Sequence, residues 1–489
     1  MTQDLIVALD AGTTSTRAIA FDLRGGIVAS SGRPITQHYP RPGWVEHDAG
    51  EIWRASRDCL IEVADRVGAA RIAAIGITNQ RETLVLWDAE TGEPLTPAIV
   101  WQDRRTADTC AGLKAAGHEP AVQAKTGLLL DPYFTATKLR WALDNWPAVA
   151  AAGDRLRAGT VESWLIWKLS AGAAHVTDAT NASRTLLMDL ATCAWDDDLL
   201  ALFGVPRAIL PTIVDCAGHL ATTALLGGET PITGAAGDQQ AASIGQACLA
   251  PGELKATYGT GCFLLAHAGA APPVSQHRLL ATVAWRLDGA AAYALEGAIF
   301  TAGSAVQWLR DGLGLIATSA ETEALAQSVP DSGGVMFVPA LAGMGAPHWQ
   351  PQARGLLAGL TAGTKRAHIV RATLEAMGQQ TADLIDALAA DGVTASALRV
   401  DGGMVANDWL CQDLADSLGI AVERPRCIET TALGAAMLAG VGVGLFPDLA
   451  AAAAAMTGPD RTFTPELPAD ARTARRAAWA RAVRQALVE

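Results

Sequence analysis

Asp10 closes the apolar run Leu5–Leu9 and opens a small polar turn, Asp10-Ala11-Gly12-Thr13-Thr14-Ser15. A turn of this composition leaves backbone N–H groups uncovered, and threonine hydroxyls add donors, a combination suited to phosphate oxygens. A second turn of the same kind, Tyr258-Gly259-Thr260-Gly261, lies just past mid-chain. Each taken alone reads equally as an ordinary hairpin turn. Two of them, opening two halves of one chain, favour phosphates held between the halves, with closure of the halves as part of the chemistry. Asp10 itself reads two ways: as a turn former, or as a carboxylate facing the phosphates across a Mg2+ ion, directly or through water.

Asp238 ends the stretch Ile232-Thr233-Gly234-Ala235-Ala236-Gly237 and begins Asp238-Gln239-Gln240. It is either a first-turn helix acid or a general base for a substrate hydroxyl, and spacing does not separate the two. Thr78-Asn79-Gln80-Arg81-Glu82 follows a buried-strand pattern. Arg81 offers donors and Glu82 acceptors, so the pair either grips vicinal hydroxyls or forms an internal ion pair. Trp101, after Ala98–Val100, is either core or a cover for the CH groups of a small polyol. Tyr133, one of four tyrosines, brings a hydroxyl from Asp131-Pro132-Tyr133-Phe134.

The elements that must position these groups alternate between strand and helix. Leu5–Leu9, Arg17–Asp22 and Ile27–Ser31 read as a β-meander, 49–67 as a helix and Ile72–Ile77 as a buried strand. Gly252–Thr257, the second turn and Cys262–Ala266 repeat the opening pattern, and Leu398–Val400 runs into Asp401-Gly402-Gly403. The fold class is therefore α/β, in two halves of similar design, 1–248 and 249–489, divided near Pro251-Gly252.

Composition narrows the function. A chain of 489 residues exceeds the size of one ordinary core, and the net charge of −13 argues against nucleic acid. No apolar run is long enough to span a bilayer, and the start of the chain lacks the pattern of a signal peptide. The eight cysteines show no CxxC or zinc spacing and read as buried, reduced thiols, so a soluble, cytoplasmic protein is expected. There is no GxxxxGK[ST] loop, no GxGxxG in a dinucleotide context and no HExxH.

Taken together, DAGTTSTRA (10–18), PGWVEHD (42–48), GITNQRET (76–83), IVWQDRRT (99–106), DPYFTATK (131–138), TNASRT (180–185), GAAGDQQAA (234–242), TYGTGCF (257–263), ALEGAIF (294–300) and VDGGMVAN (400–407) resemble the glycerol kinases of the FGGY carbohydrate kinase family over essentially the whole chain. The resemblance implies two actin-like (ribonuclease H-like) domains with a nucleotide cleft between them, the first carrying the glycerol and phosphate side and the second the adenine nucleotide side. It implies ATP and Mg2+ as cofactors, glycerol as acceptor, and a homo-oligomer, dimer or tetramer, by analogy. Thr13, Thr14, Ser15 and Arg17 would contact the nucleotide phosphates, with Asp10 near Mg2+. Thr260, Gly303, Gln307, Gly403 and Asn407 would line the ATP site. Arg81, Glu82, Trp101, Tyr133, Asp238, Gln239 and Phe263 would hold glycerol, with Asp238 as the base.

The chain departs from regulated members of that family at Leu226–Thr230, where some carry a basic loop for fructose bisphosphate, and at Pro465–Arg475, a segment some offer to a sugar-transport regulator. Two rival functions share the pattern: a kinase for a pentulose, erythritol or another polyol, and a nucleotide-switched clamp related to actin or the heat-shock chaperones. The second needs neither a polyol pocket nor a base at Asp238.

Overall fold

In the computed structural model, which describes residues 3–350 and 352–487, the meander at the start of the chain is the spine of one six-stranded sheet. Strands β1 (Leu5–Ala11), β2 (Ser15–Asp22) and β3 (Ile27–Pro34) pair antiparallel. Helix α1 (Ala49–Val67) follows, and β4 (Ile72–Asn79) returns parallel to β1. Strands β5 (Ala217–Thr223) and β6 (Thr230–Gly237) complete the order β5-β6-β4-β1-β2-β3, and β6 feeds directly into helix α2 (Asp238–Gly245). Both β1 and β4 are buried along their whole length, which explains their near-continuous apolar composition. Helix α1 starts where Asp48 accepts the Gly50 N–H and buries Ile52, Cys59, Leu60, Val63 and Val67, a helical-period stripe, against one face of this sheet.

The second sheet repeats the plan. Strands β7 (Glu253–Tyr258), β8 (Cys262–Gly269), β9 (Leu280–Leu287) and β10 (Ala290–Ile299) form an antiparallel set. After helix α3 (Arg366–Ala390), β11 (Ala397–Asp401) runs parallel to β7 as β4 does to β1. Helix α4 (Asp408–Leu418), strand β12 (Ala421–Pro425), helix α5 (Thr430–Gly442), strand β13 (Pro459–Phe463) and helix α6 (Ala469–Leu487) complete it, in the order β9-β10-β8-β7-β11-β12-β13. The largest apolar core joins this sheet to α3, α4 and α6.

The halves are interlocked rather than strung in sequence. Helix α5, from late in the chain, packs Leu433, Met437 and Leu438 against Ile6, Phe21, Ala74 and Ala236 of the first sheet. It also crosses α2 at backbone contact: a Cβ on Gly434 would lie 1.8 Å from the Ala241 carbonyl oxygen, and one on Gly245 1.9 Å from that of Thr430. Only glycine fits at that crossing. Among the described residues no helix is long and apolar enough to cross a membrane. All eight cysteines are free, seven buried and Cys427 half-buried.

Candidate active site

The β1–β2 ladder runs two residues beyond the expected strand, to Ala11, so Asp10 lies within the strand, opposite Arg17 of β2 and Thr78 of β4. The turn narrows to Gly12–Thr14, closed by Gly12 N–H donating to the Ser15 carbonyl at 3.0 Å. Thr13 and Ser15 are half-buried and Thr14 is exposed. Burial pushes the Asp10 carboxyl up to about 7; the charges of Asp238 and Glu429 add to that push and Arg17 opposes it. Arg17 lies 3.5 Å from Asp10 and 2.8 Å from Glu429, which immediately precedes α5. Glu429, 412 positions from Arg17 in the chain, gave no local sequence signal. A buried carboxyl in this state gains from a cation, which Arg17 supplies at 3.5 Å, and a divalent ion bound there would act in the same sense.

Asp238 is the first residue of α2, delivered by β6. Its Oδ1 accepts the Gln239 N–H at 2.7 Å, so the helix-terminus reading holds locally. Its side chain nevertheless remains 30% exposed and lies 3.3 Å from Arg81 Nε. Burial raises its carboxyl above the ordinary range, while Arg81 and Lys255 act against that shift. Lys255, from β7, is fully buried; it donates to Gln239 Oε1 and, at 3.0 Å, to Thr257 Oγ1.

Arg81 links this carboxylate to a group of three rings through Tyr133. Trp101 is half-buried, its ring 5.6 Å from that of Tyr133 and 6.2 Å from that of Phe263 on β8, both edge to face. Trp101 Nε1 donates to Thr13 Oγ1 at 3.0 Å, so the tryptophan joins the aromatic wall to the first turn. Tyr133 OH accepts from Arg81 Nη2 at 3.3 Å.

Arg81 and Glu82 form a loose ion pair within a larger set of buried charges. Both are buried, yet their closest charged atoms are 3.9 Å apart. Glu82 takes φ 58°, which turns its carboxylate toward Arg184 Nε at 2.6 Å. Arg81 Nη1 instead donates to Glu296 Oε2 at 2.6 Å, and Arg184 Nη2 to Glu296 Oε1 at 2.8 Å. The result is an alternating chain of charges, Glu82–Arg184–Glu296–Arg81. Neither Arg184 nor Glu296 is identifiable from its surroundings in sequence, since an isolated ionic residue in a small-residue segment carries no sign of its partner.

On the second sheet, Gly303 N–H donates to the Gly259 carbonyl at 2.9 Å, and Ser304 N–H to that of Thr260 at 3.0 Å, which docks Gly303–Gln307 onto the second turn. Thr260, Gln307 and Gly403 are exposed, and a Cβ on Gly403 would meet nothing within 4 Å. Gly402, at φ 93°, lies against the Tyr258 backbone and brings Gly403 beside the same turn. Asn407 has structural work: Oδ1 caps α4 by accepting the Leu410 N–H at 2.9 Å, and Nδ2 donates to Thr322 at 3.2 Å. Among contacts of the described residues, none links Gln307 or Asn407 to the aromatic cluster.

Known proteins match the chain that carries these groups. The N-terminal domain model of the FGGY family of carbohydrate kinases matches residues 5–245, and its C-terminal domain model residues 254–443. The chain belongs to the FGGY family of carbohydrate kinases. A glycerol kinase of Rhodospirillum rubrum is 55% identical, with 98% of each chain covered. One from Rhodospirillum centenum is 54% identical over 98% of this chain and 97% of the relative. Among solved structures, Plasmodium falciparum glycerol kinase with ADP superposes with a TM-score of 0.94 at 36% identity, covering 100% of this chain and 99% of that one. As an FGGY kinase, the chain has the two-sheet architecture expected from its sequence, with the cluster around Asp238 drawing on both sheets.

Proposed function

We propose that this FGGY kinase is a glycerol kinase: it transfers the γ-phosphoryl group of ATP to a terminal hydroxyl of glycerol, giving glycerol phosphate and ADP. The observation that carries the reading is Arg81, whose Nε lies 3.3 Å from the partly exposed carboxylate of Asp238 while its Nη2 donates to Tyr133 OH, a ring in contact with Trp101. Such a site offers one base, two hydroxyl-binding side chains and aromatic surface for a short carbon chain. That complement matches a three-carbon triol.

In this mechanism Arg81 and Glu82 orient two hydroxyls, while the carbon edge of glycerol rests on Trp101 and Phe263. Gln239, held by Lys255, lies beside the reacting hydroxyl. Asp238 accepts that hydroxyl's proton as the oxygen bonds to the γ-phosphorus and the bond to the ADP oxygen breaks. General-base assistance of this kind contributes about 10²–10⁴-fold. Thr13, Thr14, Ser15 and Arg17 bind phosphates from the first half. Thr260, Gly303, Gln307, Gly403 and Asn407 bind the nucleotide from the second. Asp10 would hold Mg2+, which when bound neutralises phosphate charge. The halves 1–248 and 249–489, apart from α5, which packs on the first sheet, act as two lobes whose closure excludes water, so that the phosphoryl group passes to the alcohol. Coupled measurement of ADP release across glycerol, erythritol, xylulose and gluconate tests this: glycerol gives the highest kcat/KM, and preference for a pentulose contradicts it.

A further inference from the structure

We infer that Glu296, a strand residue of the second sheet, is a positioning residue for the acceptor site: it fixes the guanidinium of Arg81 so that the acceptor pocket, although built mostly from the first half, is completed only by the second. The inference rests on the proposed glycerol reading. Glu296 lies in mid-strand on β10, paired with Leu265 of β8 and Leu280 of β9, and is fully buried. Its backbone is therefore held on both sides, and its carboxylate has little freedom. One oxygen accepts from Arg81 Nη1 at 2.6 Å and the other from Arg184 Nη2 at 2.8 Å.

This arrangement decides which edge of Arg81 faces the pocket. Glu296 and, at 3.3 Å, Gln240 Oε1 both engage Nη1. Nη2 is directed to Tyr133 OH, which takes one of its two hydrogens, and Nε faces Asp238. Arg184 does the same for Glu82: by holding Oε1 at 2.6 Å it fixes that carboxylate. One anion thus sets both hydroxyl-binding side chains, one directly and one through a second arginine. Burial pushes the Glu296 carboxyl up, but Arg184 and Arg81 outweigh it and bring it to about 2, so the clamp is charged at any working pH. Gln240 is tied in turn to Thr282 Oγ1 and the Val283 carbonyl of β9 at 3.1 and 3.2 Å, a second link between Arg81 and the second sheet.

The test is steady-state kinetics of Glu296→Gln, which keeps the size but loses the charge. The KM for glycerol rises about tenfold or more, the scale of one lost charge-assisted hydrogen bond, while the KM for ATP stays within about twofold. Discrimination between glycerol and a propanediol lacking one gripped hydroxyl falls by a similar factor, a change that a loss of folding alone would not cause. Glu296→Asp, which retains charge on a shorter arm, gives a smaller shift of the same pattern and serves if Glu296→Gln does not fold. Equal rises in both KM values, or an unchanged preference for glycerol over the diol, overturn the inference. The wild-type protein distinguishes the two levels: absence of glycerol-dependent ADP release overturns the glycerol reading itself, independently of Glu296.

Discussion

Trp101 Nε1 donates to Thr13 Oγ1 across 3.0 Å, so the aromatic wall of the acceptor pocket and the first phosphate-type turn share a hydrogen bond. Since Trp101 also meets Tyr133 and the second-sheet residue Phe263, one side chain touches three parts of the site. Trp101→Phe keeps an aromatic face but removes this donor. A neutral hydrogen bond is worth about 0.5–1.5 kcal/mol, so the KM for glycerol should rise about twofold to tenfold, and the tightening of nucleotide binding by glycerol that this bond predicts for the wild type should be lost. Titration calorimetry of nucleotide with and without glycerol measures that coupling.

The pH profile should carry Asp238's signature. Burial raises its carboxyl, and a base works only when ionised, so kcat/KM should fall as pH drops through that raised value. The acid limb should therefore lie above the ordinary aspartate value of about 4. It is measured from pH–rate profiles at saturating Mg2+.

Asp10 predicts a trade between activity and stability. Burial pushes its carboxyl up to about 7 from the ordinary aspartate value of 3.8, so the folded state binds more protons there than the unfolded state. The resulting destabilisation is absent at low pH and grows as pH rises from about 4 through about 7, to an upper bound of about 4 kcal/mol. Asp10→Asn should accordingly raise the melting temperature of the ligand-free protein at pH 8 but not at pH 4, while impairing turnover. Paired thermal melts at the two pH values check the sign.

Gly434→Ala should destabilise the whole molecule. Its Cβ would stand 1.8 Å from the Ala241 carbonyl oxygen, a backbone atom that cannot rotate aside. Forced separation of α2 and α5 should cost about 1–3 kcal/mol or more, read as a lower urea midpoint with the slope unchanged.

Much of the fold was legible because the polar turns, the helix over 49–67 and the strand–turn–strand repeats follow local periodicity; the observed helix is Ala49–Val67. Asp10 was placed one step outside its strand because pairing with β2 and β4, which extends β1 to Ala11, is invisible in a single segment. Short dense motifs singled out Arg81, Glu82 and Asp238, which the fold brings close to one another. The site was not legible at Glu296, Arg184, Lys255 and Glu429. Glu296, Arg184 and Glu429 matter through partners far away in the chain: Glu296 lies 215 positions from Arg81, Arg184 102 from Glu82, and Glu429 412 from Arg17. Asn407 shows the reverse case, since its motif suggests a ligand contact while the structure also uses it to cap α4.

The proposed mechanism depends most on Asp238 removing the proton from the attacking hydroxyl. Single-turnover phosphoryl transfer from ATP to glycerol by Asp238→Asn, alongside its ADP affinity, tests this directly. Transfer should slow about 10²–10⁴-fold with ADP binding within about twofold of wild type; transfer at near wild-type rate contradicts a base at Asp238.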